Sequence, residues 1–307
     1  MRVLIVGFGS IGRKHYEILK EYPSVKEVDI VTRQKIKITN LNIYNSLQII
    51  DDLNNYDYFV VCSRTDEHFK HLNYINSKVR KKRILVEKPL FNKKNIIPKI
   101  NNKIFVGFNL RFHKVLIYLK KILINEKINY VNCFCGQYLP SWRKNINYED
   151  SYSAIKKNGG GVLRDLSHEI DYIFWIFGEF NKIKYINTKL SSLKIDSDDI
   201  FTLIGDIKSK TVINLSLDYL SKIPTRTLIV HTENKTIKAD LNNYEILIAD
   251  KDMKQKNIKL RKKNINHTYI EMHKAILNSN KNINNICSYE QGQKIVNFFD
   301  KIKFQKI

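Results

Sequence analysis

The sequence predicts an α/β Rossmann domain followed by an α+β domain with an open, mostly antiparallel sheet. Three observations predict it. Short β-branched runs alternate with helical patterns through the first third of the chain. A glycine-spaced turn, Gly7-Phe8-Gly9-Ser10-Ile11-Gly12, joins the first run to the first helix. Between Lys182 and Ile248, strand patterns follow one another with turn signals and no helix. A chain of 307 residues has room for two cores. The expected division is 1–115 for the Rossmann domain and 116–307 for the second.

Taken in order, residues 2–6 (RVLIV) read as a buried parallel strand. A helix begins near Ile11 and runs to about Tyr22, stopped by Pro23. Val28–Thr32, Asp57–Cys62, Arg83–Glu87 and Ile104–Phe108 are further strands, and Asp66–Lys78 is helical. Alternation of this kind argues for right-handed crossovers in a doubly wound sheet. Beyond it, Tyr130–Tyr138 is extended, and about five strands fill Lys182–Ile248. Ile213, Leu215, Leu217 and Tyr219 recur every second residue, so that strand buries one face. Helical spacing marks Val162–Phe177, Thr268–Asn278 and Tyr289–Phe304.

Composition excludes several classes. The hydrophobic fraction of 43% is ordinary for a globular protein. The opening MRVLIVGFGS has too short an apolar run, and no cleavage site, for a secretory signal. Tyr172–Phe177, the most apolar later run, is too short to cross a bilayer. A cytoplasmic protein without membrane partners is expected. Cys133 and Cys135 share one face of a strand and, with Cys62 and Cys287, read as reduced interior thiols; no second pair completes a zinc site. The net charge of +23 comes from lysine used throughout the chain. Basic runs such as Arg80-Lys81-Lys82-Arg83 lie between elements and lack aromatic interleaving, so nucleic acid is not expected as a partner. The positive field suits an anionic small molecule.

The glycine turn carries the first functional reading. Gly7 allows the tight turn, Gly9 lets the backbone approach a pyrophosphate, and Gly12 lets helix and strand pack closely. The amides of Ser10 and Ile11 then face the phosphates. The second strand ends on Thr32-Arg33 and not on an acidic residue. Asp29 sits mid-strand, away from the ribose edge. Thr32 and Arg33 suit a 2′-phosphate, so of NAD and NADP the latter is favoured.

The second reading starts from Gly159–Asp171, GGGVLRDLSHEID. Three glycines run into a helical pattern that places Asp165, His168 and Asp171 three residues apart on one face. A metal site, a proton relay and a solvated face each fit that pattern.

With these pieces in order, the chain resembles the Gfo/Idh/MocA oxidoreductase family. The resemblance rests on VGFGSIGRKH at the start, Thr65-x-x-His68, Val86-Glu87-Lys88-Pro89, VGFNLRF (Val106–Phe112) and GGGVLRDLSHEIDYIFWIFG (Gly159–Gly178). It implies a Rossmann domain, an open-sheet second domain, homodimers or homotetramers formed through the exposed sheet face, and NAD- or NADP-dependent chemistry on a sugar alcohol. Lys88 matches the family lysine that hydrogen-bonds the reacting oxygen. His168 matches the histidine that exchanges the hydroxyl proton, with Asp165 and Asp171 orienting it or binding a substrate hydroxyl. The resemblance departs at Arg164, which stands four before the histidine where many members carry an acid. The implied cofactor set is Gly7, Gly9, Ser10, Ile11, Gly12, Thr32, Arg33, Ser63, Thr65, His68, Glu87 and Lys88. No metal is implied, because no further ligand set has matching spacing.

Asn109 and Arg111 follow the last Rossmann strand and are substrate-facing candidates. Tyr138, Trp142, Arg143 and Tyr152 lie in a long aromatic and polar loop that feeds the glycines, suited to stacking on sugars and clamping an anion. The expected function is hydride transfer on a sugar or nucleotide sugar of bacterial surface-glycan synthesis, of amino-sugar or sialic-acid-like type. The alternatives are an NAD-retaining glycoside hydrolase or lyase and a non-catalytic dinucleotide-binding regulator.

Overall fold

The computed structural model describes every residue except 40, 143–146, 263, 265, 279–282 and 307. The chain forms two compact units, Met1–Asn109 with Asn264–Asp300 and Leu110–Lys263 with Lys301–Ile307.

The first unit opens with β1 (Arg2–Val6), α1 (Ser10–Leu19), β2 (Glu27–Val31), β3 (Ile43–Tyr44) and β4 (Tyr58–Val61). It continues through α2 (His68–Lys78), β5 (Arg83–Val86) and β6 (Lys103–Val106). The second unit contributes α3 (Lys114–Ile122), β7 (Ile128–Gly136), α4 (Val162–Asp165), α5 (Ser167–Ile176) and β8 (Phe180–Thr188). Its remaining strands are β9 (Ile200–Ile207), β10 (Val212–Asp218), β11 (Thr225–Thr232), β12 (Lys235–Asp240), β13 (Glu245–Asp250) and β14 (Gln255–Lys259). The chain then returns to the first unit with α6 (His267–Leu277), β15 (Cys287–Ser288) and α7 (Tyr289–Lys301).

In the first unit the strand order is β15-β6-β5-β4-β1-β2-β3, parallel except for β15. Order reverses between β1 and β4, the switch point where doubly wound sheets bind ligands. Val3 to Val6 and Tyr58 to Val61 are at most 1% exposed, as strands covered on both faces must be. Register aligns Val6 with Val31 and Val61, Val61 with Val86, and Val86 with Val106. Gly7, Thr32, Cys62, Glu87 and Gly107 therefore stand level along the carboxyl edge. The C-terminal segment belongs here for a physical reason. Cys287 pairs with Val106 at the sheet edge, and Met272, Ala275 and Ile276 of α6 are buried. The first unit thus ends at Asn109 and regains Asn264–Asp300, where sequence patterns alone place 116–307 in one domain.

The second unit holds an eight-stranded sheet, β14-β13-β12-β11-β7-β10-β9-β8. Among the described residues, only β7 and β10 of this sheet pair in parallel. Ile213, Leu215, Leu217 and Tyr219 are at most 1% exposed, and Val131, Cys133 and Cys135 line the same buried face. The other face is open and carries Ile186, Ile204, Val212 and Leu247 among its exposed residues. Six strands span Phe180–Asp250, and β14 adds a seventh.

Two differences from the sequence expectation bear on function. Helix α3 is an addition to the expected elements, with Val115, Leu116 and Leu119 as its buried stripe. The helix expected over Val162–Phe177 is broken. Leu166, at φ −90° and ψ 34°, leaves the helical region, and α5 restarts at Ser167. Apolar spacing continues across such a break and does not report it.

Candidate active site

The glycine loop has the shape its spacing implies. Gly7 has φ +98°, and a Cβ there would lie 2.5 Å from Ser63 N. A Cβ on Gly12 would overlap the Gly7 carbonyl oxygen and crowd Cys62 Sγ. Both glycines let backbone pass backbone. Gly9 differs: its Cα side is open, with no heavy atom within 4 Å of a Cβ placed there. It is the N-cap residue of α1, and no side chain caps that end. The first amides of α1, from Ser10 and Ile11, lack intrahelical acceptors, as at any helix start. An open glycine face above uncapped amides at the switch point fits a pyrophosphate.

Around this loop the carboxyl edge is tightly held. Cys62 Sγ donates to the Gly7 carbonyl at 3.1 Å. Thr32 Oγ1 accepts the Gln34 amide at 3.1 Å, and Arg33 beside it is exposed. Asp29 is fully buried and takes the Tyr56 hydroxyl at 2.6 Å and the Asn42 amide at 2.9 Å, which ties β2 to its neighbours. Ser63 Oγ pairs with His71 Nδ1 at 2.8 Å. Burial, with a smaller push from nearby cations including Arg33, lowers the His71 pKa. Thr65 begins the turn that leads into α2.

Lys88 is partly exposed between buried neighbours. Glu87 and His68, read from sequence as facing the cofactor, are turned inward. His68 is 1% exposed. Its Nδ1 lies 3.1 Å from the Pro89 carbonyl and its Nε2 3.0 Å from the Ser63 carbonyl. Burial lowers its pKa, and the carbonyls oppose that shift. Glu87 Oε1 meets His15 Nε2 at 3.0 Å, and Oε2 accepts the Lys88 amide at 3.2 Å. Asn109 is also buried and donates to Thr268 Oγ1 at 2.6 Å.

In the second unit the triple glycine is a packing device. A Cβ on Gly160 would strike the carbonyl oxygens of Tyr152, Ser153 and Ile155. Gly161, at φ +120°, has Asp198 Oδ1 against its Cα. Asp198 Oδ2 accepts the Leu163 amide at 3.0 Å and so caps α4. Burial pushes the Asp198 carboxyl up to about 6, against the Leu163 hydrogen bond and Arg164, with Asp165 adding to the rise. The glycines thus press the Tyr152 loop and the Asp198 loop onto the start of the helix that leads to His168.

The break at Leu166 separates the three predicted face residues. Asp165 accepts the Tyr219 hydroxyl at 2.7 Å. Trp142 stands edge-on to Tyr219 at 5.2 Å, and burial, followed by the Asp165 charge, holds the Tyr219 phenol far above its ordinary pKa. Arg164, Asp165 and His168 are partly exposed, while Leu166, Ser167, Glu169 and Ile170 are buried. Asp171 is buried and held by Arg111, with Nε at 2.9 Å and Nη2 at 2.7 Å. Both partners are 1% exposed. The pair anchors α5 from its buried side. Arg226 adds a second anchor on Glu169 at 2.8 Å. The Tyr138 ring carries Lys222 Nζ at 4.6 Å. Arg143 lies outside the described residues.

The structure therefore brings Trp142 and Asp165 together at Tyr219 and pairs Arg111 with Asp171. Sequence reading missed His15, Asp198, Tyr219 as a partner of Asp165, and Arg226. Only Tyr219 carried a signal, the period of two that continues past β10.

Residues 1–96 match the profile of an oxidoreductase family with an NAD-binding Rossmann fold, and residues 120–303 match that family's C-terminal α/β domain. The chain belongs to the Gfo/Idh/MocA oxidoreductase family. No curated protein matches it significantly in sequence. Solved structures share the fold. A UDP-N-acetylglucosamine 3-dehydrogenase from Acidithiobacillus ferrooxidans is 16% identical, with TM-score 0.77 and coverage of 97% of this chain and 95% of that one. An oxidoreductase from Agrobacterium radiobacter in complex with NAD+, L-tartaric acid and magnesium is 12% identical, with TM-score 0.81 and coverage of 98% and 94%. The transcriptional regulator Gal80p from Kluyveromyces lactis is 14% identical, with TM-score 0.81 and coverage of 98% and 88%. A Gfo/Idh/MocA fold thus serves catalysis in some proteins and regulation in another. Among the described residues no helix is long and apolar enough to cross a membrane.

Proposed function

We propose that the protein is an NAD(P)-dependent dehydrogenase or reductase acting on a secondary alcohol or ketone of a sugar or nucleotide sugar, in synthesis of an amino-sugar or sialic-acid-like surface glycan. The observation that carries this reading is the open Gly9 face above the uncapped start of α1, with partly exposed Lys88 on the same carboxyl edge. When bound, the dinucleotide supplies the hydride acceptor or donor. The Lys88 ammonium hydrogen-bonds the reacting oxygen and stabilises its alkoxide character. His168 takes the hydroxyl proton in oxidation and returns it in reduction. Asp165 binds a substrate hydroxyl, with one oxygen held by Tyr219. Tyr138, Trp142, Arg143 and Tyr152 contact the sugar. Asp171 and Arg111 hold α5, and His68 holds the turn around Lys88.

Arg33 is exposed one residue beyond Thr32 and favours the 2′-phosphate of NADP. The nucleotide-sugar reading draws on the structural neighbour that dehydrogenates UDP-N-acetylglucosamine. The open face of the second sheet, with exposed Ile186, Ile204, Val212 and Leu247 on it, favours a homodimer or homotetramer, and light scattering reads that directly. The test of function is a panel of nucleotide sugars with NAD+ and NADP+, followed at the reduced-nicotinamide absorbance band. Appearance of that band with one sugar class supports the reading. A protein that binds dinucleotide yet stays inert with the whole panel, in either direction, would overturn it.

A further inference from the structure

The first unit buries an unusual chain of polar groups that ends on Glu87. Glu87 Oε1 is 3.0 Å from His15 Nε2. His15 Nδ1 is 2.9 Å from His273 Nε2, and His273 Nδ1 is 3.0 Å from the Tyr58 hydroxyl. His15, His273 and Tyr58 are 0% exposed and Glu87 is 6% exposed. Four elements supply them: α1, α6, β4 and the end of β5. Buried polar groups are costly unless each donor meets an acceptor, so the direction of the chain can be worked out.

Burial holds the Tyr58 phenol far above its ordinary pKa, so it keeps its proton and donates to His273 Nδ1. His273 is held well below the usual imidazole range by burial and by His15, so it is neutral. With Nδ1 accepting, its one hydrogen is on Nε2 and points at His15 Nδ1. His15 then carries its hydrogen on Nε2 and donates it to Glu87. Three donors meet three acceptors, and the chain terminates on a carboxylate. The reversed direction needs a protonated Glu87 and strands the Tyr58 phenolic hydrogen, whose acceptor among the described residues is His273. The pocket is shaped to the carboxylate as well: a Cβ on Gly107 would come within 2.7 Å of Glu87 Oε1. The other oxygen of Glu87 accepts the Lys88 amide. Tyr269 stands edge-on to His15 at 5.5 Å, and burial, followed by the Glu87 charge, holds the Cys62 thiol well above its ordinary pKa.

We propose that His15, His273 and Tyr58 form a one-way positioning relay that fixes the Glu87 carboxylate and, through it, the backbone of Lys88. The proposal rests on the reading of Lys88 as the group that binds the reacting oxygen. The relay holds one side of the Lys88 turn, and His68 holds the other through the Pro89 carbonyl. Small displacements of a group near reacting atoms are costly, on the order of a hundredfold in rate per ångström. The relay therefore governs turnover more than ligand binding.

Two readouts test it, one of them independent of activity. Nitrogen-15 spectra of histidine-labelled protein, assigned with His15→Gln and His273→Leu, should show both rings as Nε2–H tautomers, with His273 staying neutral where free imidazole titrates. An Nδ1–H tautomer at either ring, or ordinary titration of His273, would overturn the relay. In turnover assays with the active sugar, His15→Leu should lower kcat by roughly ten- to a hundredfold, with KM and dinucleotide affinity within about twofold. His15→Gln, which still offers an amide hydrogen to Glu87, should recover most of the loss. Equal kcat in wild type and His15→Leu, or no recovery by His15→Gln at matched thermal stability, would overturn the positioning role. Full turnover by Lys88→Ala would overturn the role given to Lys88, and with it the purpose of the relay, while leaving the tautomers as they are.

Discussion

Asp198→Asn isolates the electrostatic strain at the start of α4. The wild-type carboxyl is pushed from 3.8 up to about 6, chiefly by burial. Folded Asp198 therefore holds its proton more tightly than the unfolded chain does. Between about pH 4 and pH 6 the native state binds more protons, so this group lowers stability as pH rises through that window. A tenfold change in proton affinity is worth about 1.36 kcal/mol, so a rise of this size sets an upper value of about 3 kcal/mol. Asp198 keeps part of its surface in water, and screening trims the figure to about 2 kcal/mol. Asparagine retains an oxygen for the Leu163 amide and loses the charge. The variant's stability advantage should be small near pH 4 and grow to about 2 kcal/mol by pH 7. Urea unfolding read by tryptophan fluorescence measures it, because Trp142 and Trp175 both lie in the second unit. Comparing variant with wild type at each pH cancels the other titrating groups. An advantage that is constant with pH, or one that shrinks as pH rises, would refute the reasoning.

Gly9→Ala should leave stability within about 0.5 kcal/mol, since a Cβ meets nothing there, yet weaken dinucleotide binding roughly tenfold or more. Unchanged affinity in a cofactor titration would move the pyrophosphate elsewhere. Asp171→Ala removes the buried carboxylate that Arg111 holds and should cost about 3–5 kcal/mol in urea unfolding, whereas Arg111→Met with Asp171→Leu should cost less than the single change. Equal losses would deny the pair its anchoring role. Arg33→Ala should weaken NADP binding roughly tenfold and NAD binding by less than about twofold. Parallel losses for the two cofactors would end the preference for the 2′-phosphate.

What the sequence made legible follows the range of the forces involved. The Rossmann strands were readable because each is an apolar run bounded by turn residues. The glycine loop was readable because Gly7 and Gly12 let backbone pass backbone and Gly9 leaves an open face, each at a set spacing. Ile213 to Tyr219 announced their buried face through strict alternation. The hidden features depend on partners far away in the chain. Asp165, His168 and Asp171 looked like one helical face, but Tyr219 holds the first and Arg111 the third, on either side of a break at Leu166. Glu87 and His68 looked cofactor-facing because they sit in the right motifs. The carboxylate is instead engaged by His15, and the imidazole by backbone carbonyls. The return of α6 and α7 to the first unit was invisible for the same reason: a helix's apolar stripe does not name the sheet it covers.

Lys88 and His168 are proposed to carry the chemistry of a dinucleotide-dependent hydride transfer. Single-turnover rates of wild type, Lys88→Ala and His168→Ala, measured beside a dinucleotide titration of each, test it most directly. Both variants should bind dinucleotide within about threefold of wild type and lose at least about a hundredfold in rate. A variant that turns over at the wild-type rate would remove its residue from the mechanism, and two such variants would contradict the account.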